Sequence, residues 1–127
     1  MKLFIPFCVM VAASCVYGDD LSRLDEIIQK RGVLLEEIHK VAKDSQPRDS
    51  EQVRSTALEL YVFRRDTGKT VPERVKWQEN ILTVARDHVA DVKKQMEIGV
   101  MRRVDLTRAE ERVLAAEQKL LELQLAR

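Results

Sequence analysis

The sequence predicts an all-α protein, either a four-helix bundle or a long antiparallel coiled-coil hairpin with two additional helices. The 127 residues include only 4 Gly and 3 Pro, with 1 Trp, 2 Tyr and 3 Phe, a composition that favours helices over a β-sandwich or barrel. Apolar residues recur at spacings of three and four, without strand-like alternation. Helix breakers at Pro47, Gly68, Pro72 and Gly99 divide this pattern into four segments. The length allows one domain.

Residues 1–18 have the features of a secretory signal peptide. A single lysine precedes a nearly uninterrupted apolar run over residues 3–16, and Val16 and Gly18 supply small side chains for a cleavage site. The run is shorter than the roughly 17 residues that a membrane-spanning helix needs, although an uncleaved N-terminal anchor is the alternative. We therefore expect residues 19–127 to be an exported domain, periplasmic or extracellular.

A second processing route is open at Cys15. The segment Ala12-Ala13-Ser14-Cys15 is similar to a bacterial lipobox, although Ala12 stands where leucine is usual. Cleavage there would place a lipid on Cys15 and tether the protein to a membrane. The other cysteine, Cys8, also lies in the leader, so cleavage after Gly18 would leave a mature chain that cannot form a disulfide.

The breakers and caps predict helices near residues 20–43, 50–66, 72–98 and 105–126. Asp49 or Ser50 can cap the second helix, and Gly68 is expected to adopt a left-handed conformation after its last turn. Pro72 suits the first turn of the third helix. Asp105 is a good N-cap for the fourth.

The third and fourth helices are predicted to form a hairpin that turns at Gly99. The third-helix repeat begins with Val75 and Gln78, but its heptad does not continue in phase beyond Gly99, which favours a turn over one continuous helix. The tip would then span residues 99–104. The expected coiled-coil seam consists of Leu82, Ala85, Val89, Val92, Met96, Leu106, Ala109, Val113, Ala116, Leu120 and Leu123.

Three short motifs resemble chemical sites, but each has a simpler interpretation. Glu36-x-x-His39 has the spacing of a di-iron ligand pair, yet the other histidine, His88, has no matching glutamate three residues earlier. Asp66-Thr67-Gly68 spells an aspartic-protease triplet at a predicted helix end instead of a strand end. Gly68-Lys69-Thr70 lacks the first glycine of a phosphate loop. The sequence therefore predicts no enzyme, no cofactor and no metal site.

The tip is the most unusual stretch for a short loop, because it combines apolar side chains with two cations. Met and Arg are enriched at protein interfaces, so Val100, Met101, Arg102 and Arg103, with Asp105 beside them, are candidate contacts to a partner. In the alternative, the valines fold back onto the hairpin.

Residues 78–123 resemble the helical hairpin of TolC-type outer-membrane efflux proteins. Gly99, Asp105, Leu106 and Ala109 stand in the register of that family's repeats, before an Ala-, Glu- and Leu-rich return helix. The resemblance implies that Gly99 is the turn and that Asp105 is a tip residue able to meet the hairpin of another envelope protein. It extends to one hairpin and implies no channel.

The predicted function is that of an exported, non-catalytic interaction protein that presents a coiled-coil hairpin to a cell-envelope partner. That partner would be another helical protein or a second copy of the chain. The formal net charge of +1 argues against nucleic-acid binding, and membrane contact is expected only if Cys15 is lipidated. The alternative is a periplasmic holdase-type or lipid-associating amphipathic protein.

Overall fold

The computed structural model describes the backbone of residues 4–126 and the side chains of residues 18–126. The described residues form four helices and no strand: α1 (Phe4–Ser45), α2 (Glu51–Thr67), α3 (Val71–Glu97) and α4 (Arg103–Leu125). The predicted all-α fold class is confirmed. The chain divides within α1 into two compact units, residues 1–34 and residues 35–127.

In the first unit, α1 begins at Phe4 instead of near residue 20. Pro6 falls in the first turn of α1, where a missing N–H costs no helical hydrogen bond, so the apolar leader can be helical as well. The signal peptide and the lipidation of Cys15 stay predictions, because the side chains of residues 1–17 lie outside the described part. Over the described residues, no helix combines the length and apolar character that a membrane crossing requires.

The second unit contains α2, whose start is fixed by a side-chain cap. Ser50 Oγ accepts a hydrogen bond from the Val53 N–H at 3.2 Å, so α2 begins at Glu51. This bond satisfies one of the backbone donors that the first turn of any helix leaves without an internal partner. Of the two expected caps, Ser50 rather than Asp49 occupies the position.

Gly68 ends α2, but the prediction that it is left-handed was wrong. Its φ and ψ are −61° and 134°, an extended conformation open to other residues. Its carbonyl accepts from Arg74 Nε at 2.8 Å, and a Cβ at this position would lie 3.0 Å from Arg74 Cγ. Close approach of the Arg74 side chain, not backbone handedness, is therefore what favours glycine here.

Two apolar clusters fill the space along α3, which lies between α2 and α4. The first cluster consists of buried Ile81, Leu82 and Ala116, with Leu58, Tyr61, Val62, Val113 and Leu120 packed against it. The second lies nearer the hairpin turn and consists of buried Val92, Leu106 and Ala109, with Val89, Met96 and Met101 around it. Small alanines of α4 therefore face larger α3 side chains, which lets the two helices approach closely.

One buried polar residue connects all three of these helices. Gln78 of α3 is only 1% exposed. Its Oε1 accepts from Arg65 Nη1 of α2 at 2.8 Å, and its Nε2 donates to the Ala116 carbonyl of α4 at 3.0 Å. Because both ends of the amide are hydrogen-bonded, its burial carries little desolvation penalty and fixes the relative positions of the helices.

The end of α1 that belongs to the second unit packs on α2. Leu35, His39 and Ala42 are buried there. His39 Nδ1 lies 3.1 Å from Thr56 Oγ1, and its ring meets Tyr61 edge-on at 6.3 Å between centroids. At the surface of this contact, Glu36 and Arg64 form an ion pair.

Replacing Gln78 by methionine tests the role of the amide. The variant keeps the side-chain length but loses both hydrogen bonds, and we expect the free energy of unfolding to fall by about 1–2 kcal/mol in urea denaturation. Gln118→Met is the matched control, because Gln118 is exposed and bonds only to Glu122 of the same helix. Equal losses in the two variants would contradict the role assigned to Gln78.

Candidate functional site

The α3–α4 hairpin turns through a Schellman motif centred on Gly99. Gly99 has a φ of +78°, in the left-handed region. The Val100 N–H donates to the Gln95 carbonyl at 2.9 Å, and the Gly99 N–H donates to the Met96 carbonyl at 3.1 Å. These bonds satisfy carbonyl groups that the end of α3 would otherwise leave open. Gly99 thus stands at the turn, in the position that the hairpin prediction gave it.

Apolar side chains stand exposed on both sides of this glycine. Ile98 is 74% exposed, Val100 66% and Val104 45%. Arg102 and Arg103 are exposed between the valines. We call Ile98, Val100, Arg102, Arg103 and Val104 the tip surface. The interpretation in which the valines fold back as packing residues was wrong, since neither is buried.

Sequence reasoning missed Ile98, because the third helix was expected to contain it as an ordinary last residue. It is the C-cap of α3, with a φ of −92° and a ψ of 8°. Its position directly before Gly99, at the predicted end of the third helix, was the one signal in the sequence that could have pointed to it.

Two of the predicted contact residues have structural partners within the hairpin. Met101 is half-buried and packs against the second apolar cluster. Asp105 is at the third position of α4 instead of the N-cap, which is Arg102, because α4 begins at Arg103. Asp105 Oδ2 accepts from the Arg102 N–H at 2.9 Å and so closes the first turn of α4. These two residues support the tip more than they offer contacts at it.

The expected seam residues all lie at least partly inside the hairpin. Leu82, Val92, Leu106, Ala109 and Ala116 are buried, and Ala85, Val89, Met96, Val113, Leu120 and Leu123 are half-buried. Ile81 is buried as well but was not predicted, because it is one residue out of phase with the heptad on α3. It packs in the first apolar cluster, beside residues of α2, so a third helix widens the interface beyond a two-helix seam.

Both histidines line one groove of the second unit, between the end of α1, α2 and α3. The groove has a volume of about 570 Å³. The Thr56 hydroxyl donates its single proton to the carbonyl oxygens of Gln52 and Val53, which lie 2.9 Å and 3.0 Å from Oγ1. The oxygen therefore accepts from His39 Nδ1, which assigns the proton to that nitrogen.

Burial lowers the pKa of His39, and the nearby ammonium of Lys43 lowers it further. Burial also lowers the pKa of His88, with Arg54 and Arg112 adding to the effect against the opposing carboxylates of Asp91 and Glu51. Both imidazoles are thus neutral near pH 7.

The motifs that resemble chemical sites are used structurally. Glu36 pairs with Arg64, while His39 bonds to Thr56. Asp66 accepts from Arg65 Nε at 3.0 Å at the end of α2. Among the described side chains, no three histidine, cysteine or carboxylate groups come together in a way that could hold a metal ion.

Comparison with known proteins adds no family assignment. No protein-family model, curated protein or solved structure matches the chain. The resemblance to the hairpin of TolC-type efflux proteins therefore stays a prediction from the sequence.

Replacing Gly99 by alanine tests the turn. No atom lies within 4 Å of the added methyl group, so the cost is backbone strain alone. We expect a loss of about 1 kcal/mol in the free energy of unfolding, measured in urea, because alanine disfavours a positive φ. Gly99→Asn is the matched control and should lose less, since asparagine tolerates that conformation. The reverse order of the two variants would contradict the assignment.

We expect the free energy of unfolding to fall at acidic pH, because both histidines have lowered pKa values in the folded chain. Above about pH 7.5 the imidazoles are neutral in both the folded and the unfolded chain, so they add no pH dependence. As the pH falls below that value, the unfolded chain binds protons first, and the free energy of unfolding declines down to the lowered pKa values of the folded state.

Urea denaturation at a series of pH values measures this decline. The double variant His39→Gln with His88→Gln should show a shallower loss between roughly pH 7 and 5 than the unchanged protein. An equal slope in both proteins, or a gain in stability on acidification, would show that the histidines do not carry the effect.

Proposed function

We propose that this chain is a non-catalytic interaction protein of the cell envelope whose tip surface contacts another helical protein or a second copy of the chain. In this proposal residues 1–18 direct export to the periplasm or the outside, and the helices of the mature chain form a bundle around the α3–α4 hairpin. The TolC-like register of Gly99 and Asp105 is consistent with a hairpin that meets other hairpins.

The observation that carries the proposal is the exposure of Ile98 and Val100 on the two sides of Gly99. The hydrogen bonds of the Schellman motif need only Gly99 and backbone groups. An apolar residue directly after the glycine often packs back onto the helix in this motif, yet Val100 stays 66% exposed. An apolar side chain left in water forgoes roughly 1.5–3 kcal/mol of burial free energy. A partner that covers these side chains would recover part of that free energy.

The tip also has the composition of an interface. Exposed aliphatic side chains lie next to two guanidinium groups, of which Arg102 is 82% exposed. Arginine supplies up to five donors in a planar arrangement and is common at protein contacts. The support behind the tip is firm, because Met101 is packed in the second apolar cluster and Asp105 closes the first turn of α4.

A second candidate function rests on the first unit of the structure. There α1 exposes a series of large apolar side chains, which include Leu21 at 46%, Leu24 at 50%, Ile27 at 44%, Val33 at 62% and Leu34 at 58%. Exposed apolar side chains of this kind suit a holdase or lipid-associating helix. In that case binding would depend on α1 and not on the hairpin tip.

Site-specific photo-crosslinking in the native cell envelope separates the two functions. A crosslinking residue is placed at position 100 on the tip, at position 24 on α1, or at position 114 on α4, where Leu114 is 63% exposed and serves as the matched control. We expect position 100 to capture one helical protein or a second copy of the chain. Position 114 should capture neither.

Charge reversal then tests specificity. Arg102→Glu combined with Arg103→Glu should reduce the product at position 100 by about tenfold, the change expected from losing one strong interface contact. Capture at position 24 alone would support the second candidate function. Identical products from positions 100 and 114 would contradict a role for the tip.

A further inference from the structure

A small cleft in the second unit gathers positive charge between α2, α3 and α4. Its volume is about 180 Å³. Three arginines from two helices line it: Arg54 of α2, and Arg108 and Arg112 of α4. His88 of α3 lies beside them, and Val92, Met101 and Ala109 complete the apolar part of the wall.

The three guanidinium groups have no anionic partner within the described residues. No carboxylate oxygen there lies within 4.0 Å of Arg54, Arg108 or Arg112. Two carboxylates, Glu51 and Asp105, also line the cleft, but Asp105 already accepts from the Arg102 N–H. The three arginines outnumber the two carboxylates along this cleft, and guanidinium groups in excess without ion pairs of their own favour the binding of an anion.

His88 supplies a second, independent observation at the same place. Its Nδ1 is a buried polar atom without a hydrogen-bond partner in the described part of the chain. Buried nitrogen atoms are nearly always hydrogen-bonded, so an unsatisfied one calls for a partner. The charged groups that act on this ring are Arg54 and Glu51 of α2, Arg112 of α4 and Asp91 of α3, and the two cations outweigh the two carboxylates.

We propose that this cleft binds one tetrahedral oxyanion of the phosphate class, held by Arg54 and Arg112 beside the imidazole of His88. Each guanidinium can donate two parallel hydrogen bonds to a phosphate oxygen pair. The anion would neutralise the excess positive charge of the cleft. Free phosphate and the phosphate of a lipid headgroup share this chemistry. The site is separate from the tip surface, and its test does not depend on the proposed function.

The first experiment follows the imidazole signals of His88 by NMR while inorganic phosphate is added at constant ionic strength, with chloride as the balancing ion. Bound phosphate stabilises the imidazolium, so the pKa of His88 should rise while that of His39 should not. We expect a Kd on the order of 1 mM or tighter. Parallel titrations use phosphatidylglycerol vesicles and phosphatidylcholine vesicles, to distinguish a headgroup from the free ion.

Variants then assign the site. Arg112→Gln and Arg54→Gln should each weaken binding by about tenfold. Arg112 is exposed, so its variant should keep the fold even if the half-buried Arg54 proves structurally necessary. Arg86→Gln is the matched control and should leave binding unchanged, because Arg86 pairs with Glu117 outside the cleft.

A rise in the pKa of His88 with inorganic phosphate or with phosphatidylglycerol vesicles, together with the variant pattern above, would support the site. The probe that causes the rise identifies the source of the phosphate group. A His88 pKa that neither phosphate nor phosphatidylglycerol vesicles change would overturn the proposal. Equal weakening by the Arg86 variant would also overturn it, since that result would indicate a general charge effect.

Discussion

The amide of Gln78 is the contact on which the rest of the second unit depends. Helix packing by apolar residues alone allows small slides and rotations, because dispersion and burial have little directionality. The two hydrogen bonds of Gln78 remove that freedom, since they fix α2 through Arg65 and α4 through the Ala116 carbonyl at the same point of α3.

Packing in the hairpin ends at the second apolar cluster, and this boundary explains the character of the tip. Met101 is the last residue of the turn that packs against the cluster. Ile98 and Val100 lie beyond it and remain exposed, although the same apolar types are buried further along the seam. The hairpin therefore holds an apolar surface at its end without burying it, an arrangement that suits the docking role proposed for the tip.

The sequence predicted features set by local backbone chemistry better than features set by contacts between helices. Gly99 stands at the turn and is left-handed there. It could be predicted because the break in the heptad phase and the glycine itself lie at the same place in the sequence. Gly68 looked equivalent, but its backbone is extended, and glycine is favoured there by the close approach of Arg74, six residues away, which no local rule includes. Asp105 was predicted as the N-cap of the fourth helix but is the third residue of α4. Helix starts cannot be placed from sequence more closely than one or two residues. The cleft around His88 was not predicted, because its arginines come from two helices that are distant in sequence.

Native-state amide hydrogen exchange tests most directly whether α2, α3 and α4 form one cooperative unit around Gln78. In such a unit, the slowest amides of all three helices open only with global unfolding and give the same free energy of exchange. That is the result predicted here. If the slowest amides of α2 exchanged with a clearly lower free energy than those of α3 and α4, then α2 would detach independently. The three-helix role of Gln78 would then be contradicted.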